Sequence, residues 1–246
     1  VLAPERLESY VGHCRRLRAA GLDPAREAPR VRPAAHSQMG GVRTDAQAWS
    51  GVPGLYVAGE AAGGVHGASR LAGNGASDVI VFGGIAGRAA ARGRLRLAGR
   101  DWGRVQAAAE ARVQQGPRAR SDGLRPDELK ARLRQVMAQA AGLYRSAASL
   151  GAGLEQLRVL QGALEDGLQA GGEPGAGLRA LEARHMLAVA DAVLVSALER
   201  TESRGAHQRS DHARLDDAAW LRHVAVRSQA QGGLRVETQS RLSRIS

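Results

Sequence analysis

Residues 36–90 constrain this chain more than any other stretch. A short apolar run, residues 55–58, follows a Val52-Pro53-Gly54 turn and ends on Gly59-Glu60. That is the pattern of a buried strand closed by a glycine. A loop dense in glycine follows, with Gly63, Gly64, Gly67, Gly73 and Gly75. Glycine at this density lets backbone approach a ligand closely or adopt positive φ, at an entropic cost. An apolar segment of helical character then begins near Ser77-Asp78, residues suited to an N-cap and a first turn. Strand, glycine loop and helix start together predict a site for an anionic or nucleotide ligand, because a helix N-terminus offers unpaired N–H groups and a positive dipole end.

Polar side chains are threaded through this stretch: His36, Glu60, His66, Arg70, Asn74 and Asp78. A carboxylate at the end of a strand, as at Glu60, accepts hydrogen bonds only and suits a ribose diol. An arginine in a glycine loop, as at Arg70, can hold a carboxylate through two charge-assisted bonds. His36, ahead of Met39-Gly40-Gly41, is a second donor for the same substrate. The other polar groups have plainer readings. His66 reads as a loop hydrogen bonder, Asp78 as a charge favoured by the helix dipole, and Trp49 as packing at a loop edge.

The rest of the chain is helical in pattern. A first helix starts at Pro4-Glu5-Arg6, carries Leu7, Tyr10, Val11, Cys14 and Leu17, and ends at Gly21. The segment to Pro33 reads as extended. Residues 91–120, rich in Arg, Ala and Gly, read as a surface linker. Helical periodicity then resumes. One helix carries Leu129, Leu133, Val136, Met137, Ala140 and Leu143-Tyr144. A second carries Leu154, Leu157, Leu160, Leu164 and Leu168. After a break at residues 171–175, a third carries Leu178, Leu181, Met186, Leu187, Ala190, Val193, Leu194, Ala197 and Leu198. Three amphipathic helices joined by turns predict a small bundle whose Leu and Met stripes are core. Two strand-like pieces, residues 221–226 and 233–236, close the chain.

At 246 residues with a formal charge of +11, the chain is long enough for a sizeable core and basic enough to suggest nucleic acid. That partner is rejected. The basic residues are arginines except Lys130, and they are scattered among acids with little aromatic interleaving. This reads as the composition of a GC-rich genome. The single cysteine, Cys14, allows neither an intrachain disulfide nor a cysteine metal site, so no metal is expected. No run reaches the ~20 apolar residues that span a membrane.

Three linked motifs carry a resemblance: HSQMGGVRTD (36–45), PGLYVAGE (53–60) and HGASRLAGNGASD (66–78). They resemble the flavoprotein subunits of succinate dehydrogenases and fumarate reductases, with L-aspartate oxidases as close relatives. The late segment with Glu202-Ser203-Arg204-Gly205-Ala206-His207, Arg209, Asp211, Asp216-Asp217, Trp220 and His223 is similar to that family too. Its mixed charges predict buried salt bridges between domains or subunits more than chemistry.

The resemblance implies FAD as cofactor and hydride transfer between flavin and a C4 dicarboxylate. It implies His36 and Arg70 as substrate-binding residues. It implies Glu60 as the FAD ribose ligand, with Gly59, Asn74, Gly75 and Ala76 also beside FAD. Three departures place the chain in a side branch. Ser69 stands for the family's Asn, Gly75 for a Ser (so any FAD contact there uses backbone), and the interval from Glu60 to Arg70 is one residue short.

The implied fold is α/β, the C-terminal part of a Rossmann-like FAD-binding domain, followed by an all-α three-helix bundle. The implied segments are 1–35, the end of a capping domain; 36–95, FAD-binding; 96–123, a linker; 124–205, the bundle; and 206–246, a C-terminal tail. No Gly-x-Gly-x-x-Gly after a strand is found, so the chain is expected to be a C-terminal fragment, inactive alone, whose partner is the N-terminal flavoprotein half. An iron–sulfur subunit is a further expected partner, and the expected location is cytoplasmic, reaching the inner face of a membrane only through partner subunits. An L-aspartate oxidase-type enzyme and a non-catalytic interaction module remain as alternatives.

Overall fold

The computed structural model describes residues 9–31, 33–93, 101–114, 119–169, 175–229 and 233–240. By its internal contacts the chain falls into two units, Val1–His36 and Ser37–Ser246.

The first unit holds helix α1 (Val11–Ala19), which buries Cys14. Gly21, at φ +83°, follows the helix as expected. The Leu22 N–H returns to the Leu17 carbonyl at 3.0 Å, satisfying one of the carbonyls a helix end leaves open. The described residues 28–31 and 33–36 carry no helix or strand, and His36 ends the unit exposed. The expected start at Pro4 lies outside the described residues.

The second unit begins with an irregular segment, a single 3₁₀ turn at Gly59–Ala61 and helix α2 (Asn74–Arg92). The expected strand at 55–58 is not formed. That stretch is extended, but Tyr56 makes one isolated bridge, to Trp49, and Leu55 is half exposed. An apolar run between turns marks an extended chain, and without partner strands it makes no sheet. Within the span read as a linker, residues 102–114 form helix α3 (Trp102–Gln114). Its Ala, Gln, Glu and Arg content favours helix even with little to bury.

Strand β1 (Ala119–Arg120) then precedes the bundle helices α4 (Pro126–Ala140) and α5 (Ala147–Asp166). Strand β2 (Leu168–Gln169) pairs parallel to β1. Helix α6 (Ala176–Glu199) completes the bundle. Pro126 occupies the first turn of α4, where its missing N–H costs nothing. Ser146 and Ser149 form a reciprocal capping box on α5, with bonds of 3.1 and 2.9 Å.

One core joins the three helices. It contains Leu129, Leu133, Val136 and Ala140 of α4, Leu150, Leu157 and Leu160 of α5, and Ala180, Ala183, Leu187, Ala190, Leu194 and Ala197 of α6. The expected stripes are largely right, with corrections. Leu143 and Tyr144 lie beyond α4 and are exposed, Leu178 is exposed, and Leu168 is buried from β2, not from α5. Gly153 lets α5 approach α4 closely, since a Cβ there would sit 2.4 Å from the Ala140 Cβ. Lys130 ties α4 to α6 through Glu182 at 3.1 Å.

The described residues of the expected tail include helix and strand. A short helix α7 (Asp217–Trp220) leads into an antiparallel hairpin of β3 (Arg222–Ser228) and β4 (Leu234–Ser240), with Val226 opposite Val236. The hairpin packs against α6. It also reaches back to the glycine-rich segment, where Arg43 Nη1 donates to Gln239 Oε1 at 2.7 Å.

Candidate functional site

Close backbone contact builds the floor of the site. The Val42 N–H donates to the Ala61 carbonyl at 2.8 Å and the Gly63 N–H to the Val42 carbonyl at 2.9 Å. A Cβ on Gly41 would lie 2.4 Å from the Ala61 oxygen, so only glycine allows this bridge. Gly59, buried at φ +68°, sets the 3₁₀ turn against Val79 of α2. Glu60 stands exposed on that turn, and its Oε1 accepts the Gln38 N–H at 2.8 Å.

The loop from residue 63 to 73 feeds α2. The helix starts earlier than Ser77-Asp78. Gly73, at φ +85°, is its N-cap, Asn74, Gly75 and Ala76 form its first turn, and no side chain caps it. A left-handed glycine here takes the place the sequence rules assign to Ser or Asp, without the side-chain acceptor those residues bring. Arg70 is half-buried, its guanidinium lying over that turn, 3.2 Å from where a Cβ on Gly75 would be. Its Nη1 points to the Leu71 carbonyl at 3.5 Å. Among the described residues no carboxylate pairs with it.

Asp78 is not an exposed charge near the helix start. It is 6 % exposed and meets His66 Nε2 at 3.1 Å through Oδ2, while its Oδ1 has no hydrogen-bond partner among the described residues. His66 is thus a loop hydrogen bonder, and the pair fastens the loop carrying Arg70 to α2. The spacing of twelve residues gave no periodic signal for this contact.

The motif at 202–209 forms a buried ionic turn. Glu202, fully buried, accepts from Arg200 at 2.6 Å, from Arg204 at 2.7 and 2.8 Å and from the Asp216 N–H at 2.9 Å. Burial pushes its pKa up, but Arg204, the Asp216 N–H and Arg200 outweigh it and hold the carboxyl at about 2. Arg209, 2 % exposed, donates to the carbonyls of Ala197, Leu198 and Arg200 at 3.0–3.1 Å, capping the C-terminus of α6. Its other edge grips Asp211 at 2.7 and 2.8 Å, and Asp211 accepts the first N–H of α5, from Ala147, at 2.7 Å. The Arg209 contact above all holds the Asp211 pKa below its usual range. His207 bonds the Arg200 carbonyl at 3.1 Å, and burial lowers its pKa. Buried salt bridges are therefore present, and those described join neighbouring segments of the second unit, where the sequence suggests domains or subunits.

Of the expected site residues, Gly59, Glu60, Arg70, Asn74, Gly75 and Ala76 all belong to the second unit, and Arg70 is brought onto Gly75. His36 belongs to the first. An open groove of about 500 Å³ lined by Trp49, Tyr56, Ile85 and Arg88, among others, includes none of the expected site residues. Trp49 itself packs at the loop edge, donating to the Val52 carbonyl at 2.9 Å.

The residues present fit FAD. Among the described residues Glu60 Oε2 has no hydrogen-bond partner on its exposed turn, and the first turn of α2 has no side-chain cap and no side chain at Gly75. Among the described residues no cluster of His, Cys, Asp or Glu could hold a metal ion, and no helix is long and apolar enough to cross a membrane.

This architecture is that of a flavoprotein. The structure of E. coli quinol fumarate reductase superposes with a TM-score of 0.82 at 30% identity, over 95% of this chain and 42% of that one. Residues 2–76 match an FAD-binding domain model and residues 130–242 the C-terminal model of fumarate reductase flavoproteins. The chain is 40% identical over 227 residues to an L-aspartate oxidase of Streptomyces coelicolor, covering 90% of this chain and 38% of that protein. It is 39% identical over 228 residues to a fumarate reductase flavoprotein subunit of Mycobacterium tuberculosis, covering 87% and 39%. It belongs to the succinate dehydrogenase/fumarate reductase flavoprotein family of FAD-dependent oxidoreductases. The chain spans about two fifths of the length of these relatives.

Proposed function

We propose that this chain supplies the carboxylate clamp and part of the FAD site of an oxidoreductase that exchanges a hydride between flavin and a C4 dicarboxylate. One observation carries the reading: a half-buried Arg70 guanidinium, with no acidic partner among the described residues, lies over the uncapped start of α2. A guanidinium so placed can take a carboxylate through two parallel bonds, and the helix start adds favourable potential for the same charge. His36 is the second carboxylate donor. Glu60 holds a ribose hydroxyl of FAD, flanked by Gly59, and Asn74, Gly75 and Ala76 border the cofactor through backbone. FAD, when bound, supplies the hydride chemistry. The role of these residues is to bind and orient the substrate.

In this reading residues 36–95 belong to a Rossmann-like FAD-binding domain and residues 124–205 to a helical domain. The working enzyme includes the pyrophosphate-binding half of a flavoprotein, acts on the cytoplasmic side, and meets an iron–sulfur subunit and, through it, a membrane. The similarity to an L-aspartate oxidase supports a second reading, in which the same clamp holds aspartate.

Arg70→Ala in the FAD-loaded protein tests both. Losing a bidentate clamp lowers kcat/KM for the true dicarboxylate by about a hundredfold or more. Unchanged turnover of both fumarate and L-aspartate would remove Arg70 from the site, and the substrate whose turnover falls identifies the enzyme.

A further inference from the structure

The ionic turn at 202–211 is braced far beyond what a helix terminus requires. Glu202 is held by two arginines and a backbone N–H, and Arg209 locks the end of α6 to the start of α5 through Asp211. The tip of this braced turn presses on the loop that carries Arg70. The Ala206 N–H donates to the Ala68 carbonyl at 2.9 Å. Gly205 sits at φ +57°, and a Cβ there would come within 2.6 Å of the Ala68 oxygen and 2.7 Å of its carbonyl carbon. Backbone meets backbone with no slack, two residues before Arg70.

We infer that Gly205 and Ala206 are positioning residues for the Arg70 guanidinium. The bundle holds their turn rigid, the turn fixes loop 66–70 at Ala68, and the loop sets Arg70 over the first turn of α2. The His66–Asp78 contact holds the same loop from the helix side. A motif outside the proposed clamp thus sets the geometry at which a dicarboxylate is met. The inference rests on the reading of Arg70 as a carboxylate clamp.

Two variants test it in the chain as given. Gly205→Val inserts a side chain into the contact, and Ala206→Pro removes the N–H without adding bulk at 205. Hydrogen exchange mapped by mass spectrometry is expected to rise about tenfold in residues 66–70, with the helices at 126–199 unchanged. Arg70 is expected to react faster with phenylglyoxal and to need more succinate for protection. Parental exchange and labelling in both variants would overturn the inference. So would an equal rise throughout the bundle, which makes the turn a general brace. Absence of succinate protection in the unsubstituted chain would sink the clamp reading instead, leaving exchange and labelling at 66–70 to judge the positioning on their own.

Discussion

The bundle and the glycine-rich segment of this chain are built by opposite means. In α4, α5 and α6 every helix buries a stripe, and Leu129, Leu150 and Leu194 are completely excluded from solvent. Across the described residues 37–93 only Ala48, Gly59, Ala62 and Asp78 are buried. There, order comes from backbone lying on backbone and from glycines where a Cβ has no room. Large side chains stay outside: Ile80 is 74 % exposed, and Val79 and Val81 half so. Side-chain burial gives the bundle its stability, and close backbone approach gives the segment its shape. Between them stands the ionic turn at 202–211, which belongs to the bundle and touches the loop.

The comparison makes its largest prediction in the bundle. Leu157→Ala removes a side chain 1 % exposed and is expected to cost about 2–5 kcal/mol of stability in urea unfolding, because the three helices can only partly close the cavity. A loss below 1 kcal/mol would mean the bundle is not the stable half.

The ionic turn comes next, through pH. Glu202 has a folded pKa of about 2 against an ordinary 4.5. A depressed acid contributes stability that is fully present above its unfolded pKa and is lost as pH falls through the folded one. The contribution, on the order of 3 kcal/mol, should therefore disappear between about pH 4.5 and 2. Glu202→Gln should flatten that part of the unfolding curve. An unchanged pH dependence in the variant would show that the carboxylate is not what the arginines stabilise.

In the glycine-rich segment the effect is smaller and local. Gly41→Ala drives a methyl into the Ala61 carbonyl and should cost about 1–3 kcal/mol. Exchange should quicken at Val42 and Gly63 while the bundle amides keep their protection. Loss of protection in the bundle as well would join the two regions into one cooperative unit.

The same contrast explains what could be read in the sequence. The bundle was legible because period 3.6 is a local property: Leu129, Leu133, Leu157, Leu160, Leu187 and Leu194 stand where the pattern puts them. Ala180 and Ala183 were missed because a buried alanine looks like any helix former. The motifs around Glu60 and Arg70 stood out by residue type, but their structure did not. A glycine N-cap at Gly73 hid the true start of α2, and the run at 55–58 looks alike with or without a partner strand. That charges at 202–211 would pair below the surface, as Glu202 and Arg209 do, followed from their density. That Arg209 would cap α6 did not, since the carbonyls it meets belong to a helix whose end is set by folding.

The smallest expected effect separates the regions most sharply. Ile80 lies on α2 with 74 % of its surface already in water, so its replacement by Ala removes almost no buried area. At about 25 cal/mol per Å² of apolar surface, little is lost. Alanine is also the better helix former by a few tenths of a kcal/mol. Ile80→Ala should therefore leave the unfolding midpoint of this chain within about 0.5 kcal/mol of the parent, or slightly above it. Leu157, of the same volume class, loses several times that because its neighbours cannot follow it inward. A loss above 1 kcal/mol at Ile80 would mean that this face of α2 is covered in solution. The glycine-rich segment would then draw stability from side-chain burial after all, and the contrast with the bundle would fail at that helix.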